Sequence, residues 1–224
     1  MDLEGILYKV SIGAIPILFA ITLHEVAHGW TARRFGDRTA EAQGRLSLNP
    51  LKHVDPVGTV LVPGILLLFS SGFLFGWAKP VPVVPRNLRN PRRDMAWVSA
   101  AGPAVNFAMA FAWAVVGAVA ANGWFGTGSP AEWVLAMASV GLFFNVLLAL
   151  FNLLPIPPLD GGRVAISLLP AGPARALERI EPYGFFIVLG LFLVLPMLGG
   201  PNVFRLLLGE PIAFVTQGIA RLVS

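Results

Sequence analysis

The sequence contains no cysteine, and charged residues make up only 12% of its 224 residues. The lack of cysteine excludes disulfide bonds and thiolate metal sites, so a bound metal would need histidine, carboxylate or carbonyl ligands. Soluble domains contain roughly 25% charged residues. The low charge, the hydrophobic share of 56% and the mean hydropathy of +0.73 together predict an all-α integral membrane protein with several spans.

The positive charge is modest, with a formal net charge of +4, and the basic residues cluster in loops between apolar runs. Such loops set the orientation of membrane proteins and contact anionic lipid headgroups. We therefore expect the lipid bilayer to be a partner, and we expect no binding of nucleic acid.

Long apolar runs predict helices that span the membrane. The predicted spans are residues 7–28, 95–121, 131–154 and 183–198, with a further apolar run at 57–77 and a mildly amphipathic tail at 201–224. The tail is expected to be either a short membrane helix or an interfacial one. We expect a single membrane-embedded domain over residues 1–224, with a core at roughly 6–162 and accessory C-terminal segments at 183–224.

Differences in loop charge predict the topology. The loop at 122–130 has no Lys or Arg and should face outward, whereas the basic loops at 33–55, 79–93 and 163–181 should face the cytoplasm. The run at 57–77 then begins and ends on the same side. Its Pro-Gly and Ser-Ser-Gly breaks favour a re-entrant hairpin, packed against protein, over a full second span.

A His-Glu-x-x-His pattern, formed by His24, Glu25 and His28, lies at the end of the first apolar run. On a helix the two histidines are about 40° apart around the axis, so both imidazoles can reach one metal ion. The glutamate can serve as general base toward a water on that metal. Ionisable side chains near hydrocarbon cost roughly 2.5–3.5 kcal/mol each, and a bound cation would offset this cost. The alternative is that these residues only mark the boundary of the span.

A catalytic zinc ion needs a third protein ligand and an open position. The chain has only three histidines, so the third ligand is His53 or a carboxylate. Asp160 is the best candidate, because it follows a long apolar run and stands between a Pro-rich segment and Gly161-Gly162. We expect this segment not to be regular helix and to hold the carboxylate rigidly. The same pattern is equally typical of an ordinary turn at the end of a helix.

Two asparagines lie in predicted spans, where an amide is costly unless it is paired. Asn152 could donate a hydrogen bond to a developing oxyanion or to the substrate backbone, or it could bond to a neighbouring helix. Asn106 follows several small residues that allow helices to approach closely, and we interpret it as structural. His53 could be a metal ligand, a hydrogen-bond donor to a metal ligand, or a proton shuttle. We favour the interpretation that it is an ordinary histidine in an interfacial loop.

These motifs together resemble those of the site-2 protease family, the intramembrane zinc metalloproteases of peptidase family M50. The last of them, read as NLLPIPPLDGG, is highly specific. The segments of this chain that match, in the family's order, are Leu23–Gly29, Ala101–Asn106 and Asn152–Gly162. Two further segments, Gly44–Pro56 and Gly76–Val81, look like those of the short prokaryotic subgroup. The resemblance covers roughly residues 6–185.

The resemblance implies a core of three helices and one zinc ion held by His24, His28 and Asp160, with Glu25 activating a water molecule. It implies that Asn152 binds the substrate or the oxyanion. It also implies cleavage of transmembrane segments of other proteins, in a prokaryotic inner membrane and near its cytoplasmic side. The predicted loops between spans leave no room for the PDZ domain of larger members.

We therefore expect an intramembrane zinc metalloendopeptidase that acts on membrane protein substrates. The alternative is a non-catalytic membrane zinc-binding or metal-transport protein on the same scaffold. A carrier would need paired acidic residues along a path through the bilayer, and the spans have almost none outside the two site regions. An intact Glu25 argues against a scaffold that has lost catalysis.

Overall fold

The structure, a computed structural model, describes residues 3–61, 76, 78–126 and 128–223. Regular structure in these ranges is helical, and no strand occurs in them. The described residues include five helical segments that are long and apolar enough to cross a membrane: Glu4–Arg34, Pro91–Ala121, Ser129–Asn152, Ala171–Met197 and Arg205–Val223. The predicted all-α polytopic membrane protein is therefore confirmed.

Three long helices form the centre of the molecule. Helix α1 covers Leu3–Arg34, and after the short helix α2 (Thr39–Ala42) come helices α3 (Pro91–Ala121) and α4 (Ser129–Asn152). Proline stands in the first turn of α3 and of α4, where its missing N–H costs no helical hydrogen bond. Helix α1 continues beyond the predicted end at residue 28, so the His-Glu-x-x-His pattern lies inside a helix.

The rest of the described chain consists of shorter helices. These are α5 (Asp160–Leu168), α6 (Ala171–Ile180), α7 (Gly184–Leu189), α8 (Leu195–Met197) and α9 (Glu210–Val223). The intervening turns are 3-10 at Pro50–Lys52, Pro85–Asn87 and Glu181–Tyr183, and π-helical at Pro56–Leu61, Gly190–Val194 and Arg205–Gly209. The fourth candidate span runs from α6 to α8 and begins earlier than the predicted span at 183–198.

The core lies where α1, α3 and α4 pack against one another and where α9 covers α3 and α4. Ala20, Ala110 and Ala149, one on each of the three central helices, are fully buried. Side chains this small let helices approach closely in a membrane. Ile212 of α9 belongs to the same apolar cluster as Val146 of α4. The tail, predicted to be a membrane or an interfacial helix, therefore packs against the core.

One end of the molecule brings together the C-terminal end of α1, the N-terminal part of α3 and the residues that follow α4. His28 of α1 contacts Val98 of α3, and it approaches Asp160, the first residue of α5. We call this the histidine end. Since α1 finishes here and α3 starts here, the loop between them leaves from and returns to the same end.

Most of the predicted re-entrant hairpin at 57–77 lies outside the described residues, which include only 57–61 and 76 of this run. The described residues on its two sides meet at the histidine end. The Lys79 N–H donates a hydrogen bond to the His53 carbonyl over 2.9 Å.

Candidate metal centre

The structure brings His24, His28 and Asp160 together, and we call these three residues the triad. Their ligand atoms all lie within 4.8 Å of one another. The two Nε2 atoms are 3.1 Å apart, and Asp160 Oδ2 is 3.1 Å from His24 Nε2 and 3.3 Å from His28 Nε2. Both histidines are buried and Asp160 is half-buried. The helical spacing of the histidines and the predicted third carboxylate thus converge on one point.

Hydrogen bonds at the other ring nitrogens decide which nitrogen carries the proton. His24 Nδ1 bonds to Asn106 Oδ1 over 2.6 Å, and His28 Nδ1 bonds to the Val98 carbonyl over 2.7 Å. Because both partners are acceptors, each Nδ1 must donate and therefore carries the proton. In the neutral rings, both Nε2 atoms then present lone pairs to each other and to the Asp160 carboxylate. This is the orientation that metal-binding histidines commonly adopt.

Three electron-pair donors that face one another repel each other unless a metal ion or a proton lies between them. Asp160 Oδ2 is buried, and within the described residues it has no hydrogen-bond donor. Zinc binds such ligands tetrahedrally at roughly 2.0–2.2 Å, which places neighbouring ligand atoms about 3.3–3.6 Å apart. The observed separations of 3.1–3.3 Å lie close to that value. The triad therefore fits a zinc ion and leaves the fourth position for water or substrate.

The turn between α4 and α5 carries Asp160. Residues 153–159 leave helical geometry, and Asp160 is the first residue of α5. The prediction of an irregular segment holds for the prolines but is wrong for Asp160–Gly162, because a helix can begin again once the last proline has passed. A Cβ on Gly161 would collide with the Leu153 carbonyl, so glycine lets the turn close. The two interpretations of this segment, an ordinary turn at the end of a helix and a third metal ligand, are therefore compatible, because the turn directs the Asp160 carboxylate toward the histidines.

Arg92 holds α5 against α3. Its guanidinium donates hydrogen bonds to the Ser167 carbonyl, over 3.1 Å, and to the Leu169 carbonyl. A cation suits the C-terminal end of a helix, where carbonyl groups lack intrahelical partners. The contact fixes α5, which begins with Asp160, relative to the first turn of α3.

Two buried amides stand behind His24. Asn106 Nδ2 donates to the Ala20 carbonyl over 3.1 Å and to Asn145 Oδ1 over 2.8 Å, and Asn145 Nδ2 donates to the Gly141 carbonyl over 2.8 Å. Both asparagines are fully buried. The network ties the His24 ring to α3 and α4. The sequence predicted only a structural role for Asn106 and no role for Asn145. The signal that could have identified both as members of a buried hydrogen-bond network is an amide inside an apolar span.

Gly102 allows α3 to lie directly against the two imidazoles. A Cβ at this position would lie 2.5 Å from His28 Nε2 and 2.6 Å from His24 Cε1. Any side chain here would therefore displace the rings or separate the helices. The sequence indicates close packing around this glycine, and the structure identifies the histidines as the partners.

Glu25 contacts an extended part of the loop that precedes α3. The Val81 N–H donates a hydrogen bond to Glu25 Oε2 over 2.7 Å, while Oε1 has no hydrogen bond to any residue that the structure describes. Arg45 secures this segment, because its guanidinium donates to the Lys79 and Pro80 carbonyls over 2.8 and 3.3 Å. One carboxylate oxygen is therefore held by the backbone and the other is left for chemistry.

The remaining candidates make no hydrogen bond to the triad. Asn152 is the last residue of α4, and its Nδ2 donates to the Leu148 carbonyl of the same helix over 2.9 Å. His53 is buried at 2% exposure, and its Nε2 bonds to the Ser47 carbonyl over 2.9 Å. Of the two alternatives for the third ligand, the structure brings the Asp160 carboxylate to the histidines and keeps His53 in the loop.

Comparison with known proteins gives matches over most of the chain. The model of the family described as "Peptidase family M50" matches residues 123–195. The Bacillus subtilis protein named "Putative zinc metalloprotease YwhC" is 40% identical over 179 residues, which cover 80% of this chain and 78% of that protein. "Putative zinc metalloprotease Rip2" of Mycolicibacterium smegmatis is 35% identical over 177 residues, covering 79% of this chain and 64% of its own length. No solved structure matches the chain.

Proposed function

The chain belongs to peptidase family M50, the site-2 protease family, and we propose that it hydrolyses peptide bonds in or near transmembrane segments of other membrane proteins. Membership confirms the resemblance that the sequence motifs carry. The protein is a zinc metalloprotease that passes through the membrane several times. The observation that carries the finer proposal is the triad, whose three ligand atoms lie within 4.8 Å of one another. His24 and His28 lie inside one candidate span, and Asp160 follows another.

We assign the residue roles from this geometry. His24, His28 and Asp160 would hold the zinc ion, which supplies Lewis acidity toward a water molecule and the scissile carbonyl when it is bound. Glu25 accepts the proton of the attacking water and passes it to the leaving amine. The Val81 N–H orients the Glu25 carboxylate, since it binds one of the two oxygens.

Asn152 would donate its amide to the substrate backbone or to the developing oxyanion. Its Nδ2 donates one of its two hydrogens to the Leu148 carbonyl, so the second N–H remains for the substrate. The position is suitable because Asn152 ends α4, and the turn that follows it leads directly to Asp160.

The substrate must lose helical structure before it can be cleaved. The carbonyl and N–H of a peptide bond in a helix are engaged in the helix's own hydrogen bonds. Glycine lowers the cost of unwinding by roughly 1 kcal/mol and proline by roughly 3 kcal/mol relative to alanine. We therefore propose substrates with such residues near the scissile bond.

We place the site near the cytoplasmic side of a prokaryotic cell membrane. Arg33 and Arg34 end α1, and Arg92 and Arg93 begin α3, so basic residues collect at the histidine end. Residues 122–130, between α3 and α4, contain no Lys or Arg. Positive charge of this distribution faces the cytoplasm in most membrane proteins.

The proposal is tested by zinc content and cleavage of a model single-span substrate in detergent. Wild type and Glu25→Gln are compared with Glu41→Gln, which makes the same exchange at a carboxylate that pairs with Arg33 away from the triad. We expect all three proteins to hold one zinc ion and only Glu25→Gln to lose cleavage. Zinc binding without cleavage by the wild type, over a panel of spans that contain glycine or proline, would favour a non-catalytic zinc protein. Absence of zinc in folded wild type would refute the assigned site.

A further inference from the structure

An open groove lies on the outer surface between α1 and α3. It has a volume of about 410 Å³ and is lined mostly by apolar groups, including Trp30 of α1, Phe35 directly after α1, and Trp97, Ala101 and Ala104 of α3. The two indoles are exposed, Trp30 at 57% and Trp97 at 59%. Because the alanine side chains are small, they leave room in the groove for a chain-like apolar group.

A basic cleft continues from this groove past Trp30. It has a volume of about 320 Å³, and its other lining residues are Arg33, Arg34, Arg38 and Arg89. Arg34 lines both cavities, so the groove and the cleft share a wall. The Arg33 guanidinium lies 5.4 Å from the centre of the Trp30 ring, which places positive charge beside the indole.

The cleft carries more positive charge than its neighbours neutralise. Glu41 pairs with Arg33 over 3.0 Å and lies 4.0 Å from Arg38. Within the ranges that the structure describes, no carboxylate pairs with Arg34 or Arg89. Guanidinium groups bind phosphate by paired hydrogen bonds, so the cleft is complementary to a phosphate anion.

The two cavities are arranged like the headgroup and the acyl chain of a lipid, with the basic cleft at the bilayer surface and the apolar groove deeper in the membrane. Exposed tryptophans occur at the level of the headgroups, and the arginines lie beyond Trp30 toward the end of α1. The groove extends from there along α3 toward Ala104, in a segment long and apolar enough to span the membrane. One molecule with an acyl chain and an anionic phosphate headgroup is complementary to both cavities.

We propose that this surface is a binding site for one anionic phospholipid. The phosphate lies in the arginine cleft, and an acyl chain lies in the groove over Ala101 and Ala104. Because the groove is formed by α1 and α3 together, the lipid holds the helix that carries His24 and His28 to the helix that carries Gly102. The inference does not depend on the assigned catalytic roles, since no residue that lines the groove or the cleft belongs to the triad.

The test is retention of lipid by the purified full-length protein, measured by native mass spectrometry in detergent with added phosphatidylglycerol or phosphatidylcholine. The double variant Arg34→Gln/Arg89→Gln removes the unpaired charge. Its matched control is Arg175→Gln/Arg179→Gln, which removes the same charge from exposed positions on α6. We expect the affinity for phosphatidylglycerol to fall roughly 30-fold in the first variant and to change little in the second.

A second variant tests the acyl-chain groove without changing charge. Ala104 is exposed, so Ala104→Phe fills the groove while the arginines stay in place. We expect this variant to lose phosphatidylglycerol and to keep its zinc. It also serves if the arginine variant proves unstable.

Four results would overturn the proposal. Equal loss in the two arginine variants would mean binding to general surface charge, and equal retention of phosphatidylcholine would exclude charge recognition. Competition by millimolar inorganic phosphate would indicate an anion site rather than a lipid site. Displacement of the lipid by a single-span substrate, with cross-linking of that span at Trp97, would assign the groove to a protein partner.

Discussion

Replacing Asn106 by alanine tests how far the zinc affinity depends on the amides behind His24. The Asn106 side chain accepts the His24 Nδ1 hydrogen bond at 2.6 Å and donates to Asn145 Oδ1 at 2.8 Å. Alanine removes these two contacts and the one to the Ala20 carbonyl, and it leaves His24 Nδ1 and Asn145 Oδ1 buried without their partner. Each such group costs about 1–3 kcal/mol, so we expect a loss of about 2–6 kcal/mol of stability.

The effect on zinc follows from the freedom that the His24 ring gains. Without an acceptor at Nδ1, the ring is no longer held with Nε2 toward the other ligands. Loss of such a partner costs about 10–100-fold in metal affinity, equivalent to about 1.4–2.8 kcal/mol. The matched control is Asn145→Ala, which breaks the same network one step further from the metal and keeps the His24–Asn106 bond. We expect Asn145→Ala to lose stability but to bind zinc within about threefold of wild type.

The assay is competition for zinc with a chelator of known affinity, using the purified protein in detergent. The visible spectrum of the cobalt-substituted protein reports on the geometry of the site, and thermal unfolding without metal measures stability separately. Two results would refute the reasoning. One is wild-type zinc affinity in Asn106→Ala, and the other is an equal loss of affinity in both variants, which would mean a general effect of instability.

Three further predictions follow from other contacts. Gly102→Ala should lower zinc occupancy and stability, because its Cβ would lie 2.5 Å from His28 Nε2; Gly117→Ala, whose Cβ has 3.4 Å to its nearest neighbour, is the control. Val81→Pro should keep zinc but lower the cleavage rate roughly 10–100-fold, since it removes the N–H that orients Glu25; Val81→Ala, which changes the same buried side chain but keeps the N–H, is the control, and unchanged cleavage in Val81→Pro would show that this bond is dispensable. Asp37→Ala should destabilise the loop by about 1–3 kcal/mol at neutral pH, measured by thermal unfolding.

The Asp37 prediction carries a defined pH dependence. Burial alone would raise the pKa of this carboxyl, but hydrogen bonds from the Thr39 hydroxyl, the Val84 N–H and the Asn87 amide outweigh it and lower the pKa below 3.8. The stability that Asp37 contributes is therefore complete above its ordinary pKa and is lost as the pH falls through the lower folded value. The difference between wild type and Asp37→Ala should shrink on acidification below 3.8; a difference that grows there would contradict the assignment.

Sequence patterns predict those parts of the site that depend on local geometry. His24 and His28 face one metal because residues four apart share a helix face, and this holds whatever surrounds the helix. The Pro-rich turn predicts that α4 must end before Asp160, because proline cannot continue a helix. The boundary is less well predicted: α5 begins at Asp160, since a helix can start as soon as the last proline has passed.

Contacts between residues far apart in the chain could not be predicted in the same way. Asn145 contacts Asn106 only because α3 and α4 pack closely at small residues. The Glu25 contact with Val81 depends on how a long loop folds back onto α1. The surface groove between Trp30 and Trp97 exists only where two helices meet. None of these pairs has a characteristic spacing, because their distance is set by packing and not by helix repeat.

The sequence by itself determined that this chain is a membrane protein and that any metal it holds has histidine, carboxylate or carbonyl ligands. Low charge, long apolar runs and the absence of cysteine require this in any fold. The tertiary structure alone decided that Asp160 rather than His53 meets the two histidines, and that buried acceptors turn both Nε2 atoms toward it. The physical reason is that composition decides whether a chain is stable in a membrane or in water. A site with three ligands instead requires helix packing to hold segments that are distant in sequence within a few ångströms of one another.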